Sequence, residues 1–346
     1  AILGPTMGTV ADTRNYKKPL FVFFMMIGVI GCAALSVPTS WIVFLVVFVI
    51  AKVGYNASLI FYDSMLVDVT EPDRMDTVSS HGYAWGYIGS CIPFILSLVF
   101  VLMYESLGIT MKMAMTIAFF LNAAWWVLVT IPLFRNYRQK NYAQAPSHPV
   151  RDSFRRLGRT LRDVKQEKPI FLYLLAFFFF IDGVYTIIEM ATAYGSALGL
   201  DSTGLLLALL VTQIVAFPCA LIFSRLSRNY ETKSLIRVCI LAYTGIALFA
   251  IQLDKQWEFW FLAVMVGMFQ GAIQALSRSY FAKIIPVEKS GEYFGIYDIC
   301  GKGASFMGTT LVGLVAQITN AANAGVAIIA LLFVIGFFLF NKAARY

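Results

Sequence analysis

An all-α protein that crosses a membrane many times is the fold class this sequence predicts, and three observations carry the prediction. The 346 residues are 59% hydrophobic and only 13% charged, with a mean hydropathy of +0.74. A soluble domain of this length could not bury so much apolar surface. Long apolar runs recur along the chain, each close to the roughly 20 residues a helix needs to cross a bilayer. Lysine and arginine gather in alternate connections between those runs, the bias that marks cytoplasmic loops.

Ten full spans follow, at residues 19–37, 41–66, 81–104, 112–134, 169–193, 202–224, 234–252, 256–281, 293–318 and 322–341. Residues 1–8 read as the last turns of an earlier span. The runs are continuous, glycine-rich and punctuated by proline, whereas the strands of a transmembrane barrel would alternate. With Gly8–Lys18 in the cytoplasm, 22 of the 27 basic residues fall inside. Lys112 and Lys255 fall outside, and Lys52, Arg278 and Lys302 lie within spans. The longest connection divides the chain into a first transmembrane half, 1–134, a basic cytoplasmic linker, 135–168, and a second half, 169–346. Within the linker Phe154, Leu157, Leu161 and Val164 recur at helical spacing, with Arg155, Arg156, Arg159 and Arg162 between them. That pattern predicts an amphipathic helix on anionic lipid, with a calmodulin-type target as the alternative.

Several chemistries are poorly served by this composition. The five cysteines, Cys32, Cys91, Cys219, Cys239 and Cys300, each sit alone in an apolar run, and the two histidines are His81 and His148. Neither a metal site nor a disulfide framework is expected, and no cofactor is implied. The bases are not interleaved with aromatics on a polar scaffold, so nucleic acid is not an expected partner. An intramembrane enzyme lacks its motifs: there is no HExxH and no GxSxG.

The opening charge cluster, "GTVADTRNYKK" (8–18), is explained by an internal repeat. Shifted by 216 residues, Gly8-x3-Asp12-x4-Lys17 falls on Ser224-x3-Arg228-x4-Lys233, and Trp41 falls on Trp257. At an offset of 209, Gly82-x3-Gly86 matches Gly291-x3-Gly295. The second half has two spans ahead of its copy of the loop. Ala1 is not an initiator methionine, so the first two helices of the first half are expected to be largely missing, the chain being an N-terminally truncated fragment.

Two parallel halves joined by a basic linker are the plan of major facilitator transporters. Gly8, Asp12, Arg14 and Lys17 resemble that superfamily's loop between spans two and three, which implies a conformational latch. "QGAIQALSRSYFAKIIP" (270–286) and "GEYFGIYDICGKGASFMG" (291–308) resemble the vacuolar-effluxer family, known from fungal autophagy and from bacteria. "FYDSMLVD" (61–68) and "VSSHGYAWGYIGS" (78–90) look like its first-half counterparts, with Asp63 and Val67 standing where the family pattern has asparagine and proline. The resemblance implies two pseudo-symmetric six-helix halves and efflux or exchange of small solutes, amino acids in the fungal case. It also implies a multi-pass monomer, in the inner membrane of a prokaryote or the vacuolar membrane of a fungus.

Ionisable groups inside spans are costly, about 2.5–3.5 kcal/mol on insertion scales, and mark function by default. Lys52, Tyr55, Asn56 and Asp63 share one helix face; Asp182, Tyr185, Thr186 and Glu189 share another; Gln270, Gln274, Ser277 and Arg278 make a third. Periodicity gives the stripes, and the resemblance places them around one central cavity. Interfacial snorkelling is the alternative for Asp63, Glu189 and Arg278, which lie near span ends. The expected function is a secondary transporter of a small polar solute working by alternating access, with a non-transporting receptor or scaffold as the alternative. Lys52 and Arg278 would attract anionic groups, Asp182 and Glu189 a coupling proton or a cationic group. Asn56, Tyr185, Gln270 and Gln274 would supply neutral hydrogen bonds. Asp298 and Lys302, four apart, read as a structural ion pair, and Gly82-x3-Gly86-x3-Ser90 as a helix-packing stripe.

Two contacts are expected on this reading. Asp12 caps the cytoplasmic start of span 293–318, so that Asp12→Asn shifts the conformational equilibrium by about 1 kcal/mol, near fivefold. Lys52 and Asp182 lie about 16 and 20 Å along their spans, near the middle of the bilayer, and pair across the halves in at least one state.

Overall fold

The computed structural model describes residues 3–143 and 162–346, with Gly158 and Thr160 between them. Among these, ten helices are long and apolar enough to cross a membrane, and their order reproduces the expected spans. The helices are α1 (Leu3–Ala11), α2 (Lys17–Ala34), α3 (Trp41–Ser64), the short α4 (Leu66–Val69), α5 (Met75–Leu102), α6 (Met111–Asn136), α7 (Lys168–Ala197), α8 (Ser202–Leu226), α9 (Thr232–Ala250), α10 (Gln256–Ile284), α11 (Ser290–Thr319) and α12 (Ala322–Ala343). The largest boundary difference is at α5, which starts at Met75, ahead of the apolar run. Its polar first turns are held against the second helix group. Most of the amphipathic helix expected at 154–164 lies outside the described residues.

Local chemistry sets the helix ends. Thr110 Oγ1 accepts from Met113 N at 3.2 Å and Asp201 Oδ2 from Gly204 N at 2.6 Å, the N-caps of α6 and α8. Asn320, in the left-handed region with φ 51°, closes α11. Pro93, Pro132 and Pro218 lie inside α5, α6 and α8, where a missing N–H is tolerated because neighbouring turns and helices satisfy the freed carbonyls.

Helix contacts repeat with the sequence. In the first group α2 packs on α3 and α6; in the second its counterpart α9 packs on α10 and α12. Between the groups α5 packs on α8 and α10, while α11 packs on α1 and α3. One helix from each group is thus laid against the other. The second group holds a continuous aromatic core of Tyr173, Phe177, Phe180, Phe281, Phe294 and Phe340. Apolar side chains such as Phe44, Val49, Phe306 and Phe338 point outward, as lipid-facing residues do.

The α1–α11 crossing depends on glycine. A Cβ on Gly291 would stand 2.6 Å from the carbonyl oxygen of Gly8 and 2.8 Å from Asp12, closer than packed atoms tolerate. Gly82 and Gly86, matched to Gly291 and Gly295 in the sequence, are not their structural counterparts. Because α5 starts at Met75 and α11 at Ser290, Gly291 lies in the first turn of its helix and Gly82 beyond the first turn of its own. A Cβ on Gly82 would meet the Arg278 guanidinium at 3.4 Å, one on Gly86 would meet nothing within 4 Å, and Ser90 Oγ donates to its own helix at Tyr87. The stripe expected to pack helix on helix instead makes room for a side chain. Gly291→Ala should therefore lower stability by about 1–3 kcal/mol, read as a lower Tm in detergent. Gly86→Ala should be neutral or slightly stabilising, since alanine is the better helix former. Equal losses in the two variants would show that the crossing is not the constraint.

Candidate functional site

Four polar clusters bridge the helix groups, all toward the end that the positive-inside rule assigns to the cytoplasm. The first is built on the loop between α1 and α2. Asp12 Oδ1 accepts from Gly291 N at 2.7 Å and Oδ2 from Glu292 N at 2.9 Å, so a carboxylate closes two of the open N–H groups at the start of α11. This is the cap expected from the sequence. Gly8 permits the approach. Arg14 takes no part: it is exposed and stands 5.4 Å from the ring centroid of Tyr142.

Lys17 lies in the second cluster, fully buried. Its Nζ donates to Asp68 Oδ2 at 2.9 Å, Ser290 Oγ at 3.0 Å and the Ser64 carbonyl at 3.3 Å. Asp68 also accepts from the Tyr137 hydroxyl, the Lys140 and Asn141 backbone N–H groups and the Asn141 side chain. A buried lysine and a buried carboxylate thus each find several partners, the condition under which such a pair is tolerated. Asp68 also holds the start of the linker against the bundle. It ends the quoted stretch "FYDSMLVD", but nothing in its spacing singled it out.

The third cluster was not expected at all. Asp76, in the first turn of α5, accepts from Ser279 Oγ at 2.5 Å, Lys283 Nζ at 2.6 Å and Thr232 Oγ1 at 2.5 Å. It mirrors the second. Lys17 and Thr232, Asp68 and Lys283, and Ser290 and Asp76 form three pairs of positions about 215 residues apart. Each cluster joins the start of one helix, the end of the next and the start of a helix from the other group. The chemistry is permuted between them, base with hydroxyl, acid with base, and hydroxyl with acid. Only the comparison of the two halves position by position, at the ends rather than the middles of spans, carried that signal.

Deeper in, Arg278 of α10 reaches across to the first group. Its guanidinium pairs with Asp63 at 2.9 Å and donates to Ser79 Oγ at 3.0 Å and the Ser79 carbonyl at 3.2 Å. The Tyr83 and Tyr62 rings flank it at 4.7 and 5.7 Å. Snorkelling is excluded for Arg278, which is 5% exposed. Asp298 and Lys302 form the expected pair on α11, but Lys302 also donates to the Asn56 carbonyl at 3.0 Å, tying α11 to α3. Both members of this pair lie within electrostatic range of Asp63, so two acids and two bases share one region.

The remaining expected residues scatter around this region. Gln274 accepts from the Tyr87 hydroxyl at 3.3 Å, and Gln270 is buried one turn away. Tyr185 is half-buried, and the exposed Glu189 accepts from Ser305 Oγ at 2.8 Å. Lys52 is exposed, with its ammonium 5.8 Å from the Tyr55 ring. Lys52 and Asp182 do not meet in this structure. Asp182 is fully buried, and its Oδ1 is taken by Gly308 N at 3.0 Å and Thr186 Oγ1 at 3.3 Å. The acid is held by the second group's own backbone. On the far side of Gln270 lies an apolar cavity of about 260 Å³, lined by Thr186, Met190, Tyr194, Thr212 and Phe259 among others.

Charge and burial oppose one another at Asp12. Burial pushes its carboxyl up to about 7, against the lowering influence of Lys17 and of the two N–H groups. An opening that returned Asp12 to water would restore a value near 3.9. The clasped form then holds the extra proton between about pH 4 and 7, so it is favoured in acid and loses stability as pH rises through about 7. Asp12→Asn should abolish that slope. Asp12→Ala, which strands two N–H groups, should open the clasp about fivefold. Cysteine accessibility at the basic end reads both, and a pH slope unchanged in Asp12→Asn would contradict the assignment.

The Asp63–Arg278 pair gives a second expectation. Removing either partner leaves a charge without its counterpart and should cost on the order of 2 kcal/mol, less than for a fully buried pair because Asp63 is partly exposed. Asp63→Asn with Arg278→Gln should cost less than the sum of the single changes in thermal melts; additive losses would show that the pair is not coupled.

Residues 1–343 match the family described as "Vacuole effluxer Atg22 like". The chain is 43% identical over 340 residues to the uncharacterized MFS-type transporter YxiO of Bacillus subtilis, an alignment covering 97% of this chain and 79% of that one. Autophagy-related protein 22 of Coccidioides immitis is 22% identical over 401 residues, covering 91% of this chain and 65% of the fungal protein. Among solved structures, the major facilitator transporter FucP in its outward conformation superposes with a TM-score of 0.71 at 12% identity, over 99% of this chain and 86% of that one. The chain belongs to the Atg22-like vacuole effluxer family and has the major facilitator fold. It is a multi-pass membrane transporter of the secondary class and not an enzyme.

Proposed function

We propose that this transporter moves a small, amino-acid-like polar solute by alternating access, in efflux or exchange. The observation that carries the reading is the region of two acids and two bases between the helix groups, Asp63, Arg278, Asp298 and Lys302. Their formal charges cancel, and each ion pair touches both groups, through Asp63 and Arg278 directly and through Lys302 and the Asn56 carbonyl. A solute carrying one ammonium and one carboxylate can replace these partners one for one, so no orphan charge is created when it binds or leaves. A neutral sugar or a simple anion lacks that match. The description of the family as effluxers supports the direction.

In this reading Arg278 and the exposed Lys52 receive the carboxylate. Asn56, Tyr185, Gln270 and Gln274 orient the solute through neutral hydrogen bonds, and Glu189 draws the ammonium or a coupling cation. Gly8, Asp12 and Lys17 form the latch that holds the basic end closed, and the linker's bases bind anionic lipid on a monomeric protein. The first half, the linker and the second half are the moving units.

A thermal-shift screen of amino acids, short peptides and sugars on the full-length protein, followed by counterflow in proteoliposomes, tests the proposal. Zwitterions should stabilise and should exchange. Gln274→Ala should raise the KM about tenfold, equivalent to one lost hydrogen bond, while leaving the Tm unchanged. Stabilisation by a zwitterion without flux would point to a receptor, and stabilisation only by sugars would overturn the substrate class.

A further inference from the structure

Asp182 stands apart from the charged region, and its setting is unusual. It lies near the middle of α7, is fully buried, and packs against α11 where a Cβ on Gly308 would collide with its carboxyl. Glycine there lets the acid reach a backbone N–H that already belongs to a helix. Oδ1 has two donors, Gly308 N and Thr186 Oγ1, while Oδ2 has no hydrogen-bond partner among the described residues. A bare carboxylate oxygen inside the hydrocarbon core is a costly arrangement.

Among the described residues no lysine or arginine forms an ion pair with it. On α10, Arg278 is paired with Asp63 and Lys283 with Asp76; on α11, Lys302 is paired with Asp298. Lys168, Arg225 and Lys342 stand at the basic ends of α7, α8 and α12, and Lys233 and Arg237 near the basic start of α9, where Lys233 donates to the Ala344 carbonyl and Arg237 lies in electrostatic range of Tyr280. The acids are no better placed: Glu189 accepts from Ser305, and Glu258 and Glu292 lie in the first turns of α10 and α11. Of the neutral titratable groups, Tyr185 on α7, Tyr297 and Cys300 on α11, Cys219 on α8 and Tyr243 and Cys239 on α9, none is hydrogen-bonded to Asp182 among the described residues. A metal cation would need several oxygens, and here the acid is backed by an N–H and a hydroxyl.

We propose that Asp182 is a proton-binding site, with the proton on Oδ2, separate from the substrate region and set in the α7–α11 contact. Thr186, which donates to Asp182, also lines the 260 Å³ cavity at the end of the bundle opposite the basic face. That gives the proton an entry one hydroxyl away from the acid. Loss of the proton would leave a charge between α7 and α11 and would force the two helices apart. Its role as the coupling ion rests on the transporter reading; the binding itself does not.

Infrared spectroscopy of the full-length protein in nanodiscs tests this without any substrate. One component of the protonated carboxylic acid carbonyl band at neutral pH should be lost in Asp182→Asn and persist in Asp12→Asn, which removes the contribution of the raised carboxyl at Asp12. Thr186→Val, which keeps the acid but removes one donor to its carbonyl, should shift that band to higher frequency and stays informative if Asp182→Asn fails to fold. An unchanged band in Asp182→Asn and in Thr186→Val would overturn the proposal. A sodium-dependent rise in Tm, absent in choline chloride and lost with Asp182, would overturn it in favour of a metal cation. With the band assigned, absence of any flux would refute the transporter reading and leave the proton site standing.

Discussion

A charge taken into the hydrocarbon core has to find its partners inside the protein, and in this molecule several of those partners sit on the other helix group. Lys17 reaches α11 through Ser290, Asp76 reaches α10 and the start of α9, and Arg278 reaches α3 and α5. Each bond satisfies a buried group and joins the two groups at once. Separation at the basic end therefore requires several polar groups to exchange partners together, which is the behaviour of a two-state element and not of a gradually deformable one.

The permuted chemistry of the two mirrored clusters follows from the same constraint. The geometry asks for one base, one acid and one hydroxyl at three helix ends, and it is indifferent to which end carries which. Duplication supplied the positions, and divergence was free to move the charges among them while each set kept its balance. The Asp12 cap has no acid in its second-half counterpart. Arg228 stands at that position.

Much of the fold was legible in the sequence. Hydropathy located all ten spans, because a membrane span has to announce itself in composition. The Asp12 cap was legible because a lone acid among bases is conspicuous, and the Asp298–Lys302 pair because helical spacing fixes it. The ionisable stripes on α3, α7 and α10 were found, but their pairing was not. Lys52 and Asp182 have matching depths, yet Asp182 turns one oxygen to the backbone N–H of Gly308. Depth along a helix says nothing of rotation about it or of a glycine on a neighbour. Asp68 and Asp76 passed unnoticed for a related reason: acids at span ends are ordinary in sequence, and only the fold shows that these two are buried.

The central claim is that cross-group polar contacts hold the basic end shut. Distances between spin labels on the two helix groups, measured at the basic end and at the opposite end in lipid nanodiscs, test it most directly. With Asp76→Asn and Lys17→Met combined, a population with longer distances at the basic end and shorter ones opposite should appear beside the closed form. Identical distance distributions in the double variant and the wild type would contradict the account.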